Sequence, residues 1–160
     1  MSPNIMAVTR RFLREKVLQI LYSYELTKDP IEQIKHFQLD EIEKSDDKRF
    51  CKNLIKLTIE NNEKYEGIIK ETVDNWDMER IALIDSIIIK MCLSEFFFFE
   101  DIPPKVSINE SIDIAKDFST KNSGKFVNGV LDAILAKLEK EKLIVKKGKG
   151  LISKSTKQTV

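Results

Sequence analysis

Apolar residues recur every three or four positions along almost the whole of this chain, and no stretch shows the two-residue alternation of a half-buried strand. That pattern dictates an all-α fold, because only a helix puts residues at those spacings on a common face. Between Arg10 and Leu26 the repeating set is Leu13, Val17, Leu18, Ile20, Leu21 and Tyr24, with Arg11, Arg14, Glu15 and Lys16 falling largely between them. Thr9 precedes this run as an N-cap. Asp29 and Pro30 fit a cap followed by proline at the first helical position, leading a short helix through Ile31, Ile34, Phe37 and Leu39. A longer pattern predicts one helix from Asp47 to Val73, with Gly67 as its weak point. Trp76 begins a break, and Met78 to Leu83 predict a short extra helix. Ile84 to Phe99 is apolar almost all around and marks a central core helix. Pro103 and Pro104 end it and preset the next, which reaches Phe118; Ser123 to Glu141 predict the last.

A chain of 160 residues suits one folding unit, either a single domain or two small subdomains sharing a core. The expected helical domain is 9–142, between a flexible arm at 1–8 and a basic, disordered tail at 143–160 with too little apolar surface to offset ordering. The composition is globular, and a net charge of +1 gives no global pull toward nucleic acid, so any polyanion site must be a local patch. Cys51 and Cys92 are far apart and His36 is the lone histidine, which leaves too few groups for a zinc cluster or a disulfide framework and suits a reducing compartment. No uncharged apolar run approaches the ~18 residues of a membrane span, and no signal segment is evident. A soluble, cytoplasmic protein without a membrane partner is expected.

The chemistry-bearing residues do not assemble into a catalytic set. Gly124 and Gly129 have the glycine spacing of a phosphate loop, but Val130 and Leu131 stand where that loop needs Lys and Ser or Thr, and no strand precedes them. No serine lies in a nucleophile elbow, and no cysteine pairs with the histidine. Glu110, Asp113 and Asp117 share a helical face, yet Lys116 intervenes and the series reads as solvated. The expected role is noncatalytic, with no cofactor and no metal.

Two basic features remain. Arg10, Arg11 and Arg14 open the first helix with Lys16 one turn on, and the Arg10 to Arg14 spacing puts two guanidinium groups on one face, where they could bridge phosphates or simply be solvated. Cations at a helix start oppose the macrodipole, a mild cost that favours an external anion. The second feature is the turn Lys121, Asn122, Ser123, Gly124 and Lys125, followed by Phe126. Asn122 or Ser123 can cap the last helix, leaving amides and two lysines for a phosphate and Phe126 for stacking on an unpaired base. Equally, Phe126 opens the apolar stripe of that helix and belongs to the core. Gly129 inside a helix costs roughly 1 kcal/mol relative to alanine, which close packing of a neighbouring helix would explain. Phe96 to Phe99 point over most of a helix circumference, so some of them are expected to be exposed or to meet a partner.

These segments resemble the NusB family of transcription antitermination factors. The resemblance is densest in DIPPKVSINESIDIAKDF and NSGKFVNGVLD, is preceded by IDSIIIKMCLSEF and RRFLREKVLQILYSYEL in the matching order, and spans residues 9 to 140. It implies about seven helices in two packed subdomains and no enzymatic activity. It further implies a complex with the ribosomal small-subunit protein NusE that binds boxA RNA in the elongation complex and supports ribosomal RNA transcription. By position, Arg10, Arg11 and Arg14 match the family's arginine-rich RNA-binding segment, Gln19 and Tyr22 the same recognition face, and Asn122, Lys125 and Phe126 the second RNA-contacting turn. Asp85, and Tyr22 again, match positions that meet the protein partner. Asn122 stands where the family often has aspartate, and the Phe96 to Phe99 run and the long basic tail go beyond the usual pattern; a homodimer is a further candidate partner.

Two rival readings follow from the same residues. One is a helical interaction scaffold of this fold with little RNA binding of its own. The other is an RNA-modifying enzyme, since NusB-like domains also occur fused to RNA methyltransferases, although no αβ segment with a glycine-rich cofactor loop is present here.

Overall fold

The computed structural model describes residues 8–73 and 81–147. Among them are seven helices and no strand: α1 (Arg10–Thr27), α2 (Ile31–Leu39), α3 (Ser45–Glu60), α4 (Asn62–Thr72), α5 (Leu83–Phe98), α6 (Pro104–Phe118) and α7 (Ser123–Lys140). The chain divides into two compact units, Met1–Ile55 and Lys56–Val160, and the division falls inside α3. The expected arm before Val8, the break at Trp76, the expected helix from Met78 as far as residue 80, and the tail from residue 148 lie outside the described residues.

In the first unit α1 starts where the sequence places it, because the Thr9 hydroxyl accepts the Phe12 amide at 3.1 Å and so satisfies a donor that the helix cannot. It ends at Lys28, whose left-handed backbone (φ 57) lets its N–H reach the Tyr24 carbonyl. Pro30 occupies the cap position of α2 rather than its first helical residue, one step earlier than expected, and Asp29 lies outside the helix. Leu13, Val17, Leu18 and Leu21 of α1 are buried, as are Leu39, Ile42, Phe50, Cys51 and Leu54. The Cys51 thiol points at the Leu13 carbonyl (3.8 Å), and burial pushes its pKa up to about 12.

The second unit is built around α5, buried on most of its circumference from Ile87 to Phe96 as its all-round apolar sequence requires. α6 packs on α5 and α7, and α4 on α5 and α7. The long helix expected from Asp47 to Val73 is instead two. The break falls at Asn61, whose side-chain amide donates to the Leu57 carbonyl (2.8 Å), and not at Gly67, which lies inside α4. Several buried polar groups pair with one another: the Thr58 and Ser94 hydroxyls lie 3.0 Å apart, Ser94 bonds the Tyr65 hydroxyl, and Ser107 donates to Glu95. The aromatic run divides as its angular spread demands. Phe96 is fully buried, Phe97 stacks on Tyr65 with the Lys64 ammonium 3.9 Å from its centroid, and Phe98 is 44% exposed.

Past α7 the chain turns sharply. The Lys142 amide bonds the Glu139 carbonyl and the Leu143 amide bonds the Leu138 carbonyl, a Schellman pair with Lys142 left-handed (φ 56) where glycine is usual. The expected tail is thus held at its start. Lys146 Nζ donates to the carbonyls of Glu95 and Phe99 (2.7 and 2.8 Å), capping the C-terminal end of α5, and the Lys147 amide bonds the Glu100 carbonyl.

Candidate nucleic-acid interface

The arginines of α1 do not share one role. Arg14 is only 4% exposed and its guanidinium lies 5.6 Å from the centroid of Phe50, on α3 of the same unit. Arg10 covers the same ring at 4.1 Å but is exposed, and Arg11 is half-buried at the side of the helix. Two guanidinium groups paired for phosphate bridging, as the spacing suggested, are therefore not what the fold presents. The spacing does put Arg10 and Arg14 on one face, over Phe50, but Arg14 is buried there while Arg10 covers the ring from the solvent side. Gln19 is exposed and Tyr22 half-buried. Opposite the buried stripe lie Phe12, Lys16 and Gln19, with Phe12 42% exposed and the Lys16 ammonium 5.8 Å from its ring and 3.4 Å from Glu41. Phe12 is not among the expected site residues. Its place off the apolar stripe was the signal that would have found it.

The second predicted turn lies in the other unit. Lys121, Asn122 and Lys125 are exposed and Phe126 is half-buried, so that ring is neither core nor a free platform. Asn122 sits at the cap of α7 without a side-chain cap bond, and Ser123 does not cap either, being turned inward. Ser123 Oγ donates to Asp85 Oδ2 (2.9 Å) and lies 2.9 Å from Ser119 Oγ and 3.0 Å from Thr120 Oγ1. Asp85, expected to face a protein partner, is 5% exposed in the first turn of α5, and its Oδ1 has no partner among the described residues. Its carboxylate ties α5 to the start of α7, where negative charge suits the helix dipole. At Gly124 a Cβ would come within 2.9 Å of Lys116 Cγ, so the exposed lysine side chain that lies across this position would have to shift. At Gly129 a Cβ would meet nothing within 4 Å, so the close packing of a neighbouring helix expected there is not found among the described residues.

Nothing in either turn is poised for covalent or metal chemistry. Cys92 is buried like Cys51, and no group of three acidic, cysteine or histidine residues able to hold a metal ion occurs among the described residues. Glu110, Asp113 and Asp117 of α6 form no such group. No helix among the described residues is long and apolar enough to cross a membrane.

Residues 11–136 match the model of the NusB family. The transcription antitermination protein NusB of Salinibacter ruber is 42% identical to this chain over 154 residues, which cover 94% of the chain and 95% of that protein. The solved structure of T. maritima NusB is 34% identical with a TM-score of 0.77, covering 86% of this chain and 100% of that one. A crystal structure of antitermination factors NusB and NusE in complex with dsRNA aligns at a TM-score of 0.73 over 82% of this chain and 99% of its counterpart; at 22% identity that likeness is one of fold.

Proposed function

Because the chain belongs to the NusB family, we propose that it is a noncatalytic, cytoplasmic antitermination factor which, together with NusE, binds boxA RNA in the elongation complex and so supports ribosomal RNA transcription. The solved relative that pairs NusB and NusE with RNA supports both partners for this chain. The observation that carries the RNA half is the cationic start of α1, where Arg10 is exposed, Arg11 and Lys16 flank it, and no acidic residue stands in the first turn. Phosphates held there would offset the macrodipole cost of those cations. Lys121, Asn122 and Lys125 supply a second set of exposed donors, at the entrance of α7. The thiols do not argue for chemistry, since Cys51 is buried with its pKa near 12 and offers almost no thiolate at neutral pH.

Binding of labelled boxA RNA across a salt series, with NusE present or omitted, tests this reading. Affinity should fall steeply with salt, and replacing Arg10 and Arg11 by alanine should flatten the slope by about one unit for each phosphate that is no longer neutralised. Equal affinity for boxA and scrambled RNA, with NusE bound as before, would instead favour the interaction scaffold.

A further inference from the structure

We infer that Phe12 is a base-stacking residue of the RNA surface, lying on the solvent face of α1 with Lys16 and Gln19. This rests on the RNA-binding reading and deepens it. Successive residues of an α-helix are rotated by about 100°, so Phe12, Lys16 and Gln19, spaced by four and three, form one row. That row stands opposite Leu13, Arg14, Val17 and Leu21, all buried. Phe12 is 42% exposed at the start of a helix whose Thr9 cap fixes the first turn by accepting the Phe12 amide itself, so the backbone carrying the ring is held. The Lys16 ammonium stands 5.8 Å from the ring centroid and 3.4 Å from Glu41, its side chain 19% exposed, and the half-buried Arg11 flanks the row on one side. An exposed aromatic among cations is poor design for solubility alone. It is the combination that single-stranded nucleic acid selects, with π-faces for bases and ammonium or guanidinium groups for the intervening phosphates.

The inward turn of Arg14 sharpens the assignment. With Arg14 buried on Phe50, α1 offers fewer charges to solvent than its sequence contains, and Phe12 is the large side chain that the helix leaves open between Arg10 and Lys16. Phe126, half-buried at the head of α7, offers less free ring. A base stacked at Phe12 would leave a flanking phosphate within reach of Arg11, with the exposed Gln19 further along the row of Phe12, two of the positions on α1 that the family resemblance marks.

The test is binding of labelled single-stranded boxA RNA to the full chain, alone and with NusE, for the wild type, Phe12→Leu, Phe12→Trp and the Arg10→Ala/Arg11→Ala pair. Phe12→Leu preserves apolar bulk at an exposed position, and an unchanged unfolding midpoint would show the fold intact. It should weaken single-stranded binding roughly 5- to 150-fold, the range expected for the removal of one base stack, with the salt slope unchanged because no charge is removed. Phe12→Trp should bind at least as well as the wild type. The arginine pair should show the converse, a flatter salt slope. Wild-type affinity in Phe12→Leu, with the arginine variant impaired, overturns the stacking role while leaving the RNA-binding reading standing. Loss of NusE binding in Phe12→Leu with RNA affinity intact overturns it as well, by assigning the ring to the protein partner. Failure of the wild type to bind RNA under any condition removes the RNA-binding reading and the stacking role together.

Discussion

At the scale of the residue, the same side-chain type is put to opposite uses within one turn of helix. Arg10 and Arg14 both lie over Phe50, but Arg14 is buried and Arg10 is open to solvent. Put plainly, Arg14 is a packing residue and Arg10 a solvent-facing cation. Arginine serves in both capacities because its planar, weakly hydrated guanidinium stacks on aromatic faces and its stem is apolar. Arg14→Ala is therefore expected to destabilise the protein by about 1–3 kcal/mol in urea unfolding, through removal of the stem packing and the cation–π interaction, whereas Arg10→Ala should stay within about 0.5 kcal/mol of the wild type. Equal midpoints for the two variants would show that Phe50 does not distinguish them. Asp85 makes the same point from the acidic side. The resemblance marks it as a position that meets a protein partner, but that it turns to Ser123 is not legible in the sequence, because a carboxylate's partner 38 positions away leaves no local trace.

At the scale of the element, what was legible is what is decided locally. The Thr9 cap, the proline start of α6 and the all-round apolar α5 each follow from residues within a turn or two of one another. The apolar pattern runs on from Asp47 to Val73 as one helix with Gly67 as its weak point and does not show the break, because Asn61 ends α3 by a side-chain bond to the backbone four residues back. The turn after α7 was hidden for a related reason, with Lys142 standing where a Schellman motif announces itself by glycine. Gly129 reverses the logic. It is exposed with open space around its missing Cβ, so Gly129→Ala should raise stability by about 0.5–1 kcal/mol, as a helix-interior glycine does when nothing requires it. A fall in stability in chemical unfolding would reveal a packing constraint that the structure lacks. Gly124→Ala has no such expectation, because Lys116 lies across that position.

At the scale of the whole molecule, two compact units share one helix in sequence, and each holds one of the surfaces that the family resemblance marks. The second unit also carries an ion pair, Lys90 with Glu66, whose contribution to stability is expected to depend on pH. Lys90, largely buried, bonds Asn62 and Glu66, and its hydrogen bond holds the Glu66 carboxyl below its ordinary value of 4.5. A carboxylate whose folded pKa is depressed contributes stability that is present above the unfolded value and is lost as pH falls through the folded one. Thermal unfolding between pH 6 and 3 should therefore show the wild type losing an advantage over Glu66→Gln as the pH drops below about 4.5. Parallel curves would mean that the pair is fully screened by solvent.

The sequence alone determined the helical class, the central position of α5, the proline-led entry to α6 and the membership of the densest motifs, because periodicity, capping and all-round apolarity are properties of contiguous residues. Only the tertiary structure decided which face of α1 is packed, and with it that Arg14 is spent on Phe50 while Phe12 and Gln19 look outward. The same holds for Asp85 and Ser123, and for Lys146 on the end of α5. Charge and aromaticity are written residue by residue, but their exposure depends on partners dozens of positions away, and it is exposure that separates a binding side chain from a packing one.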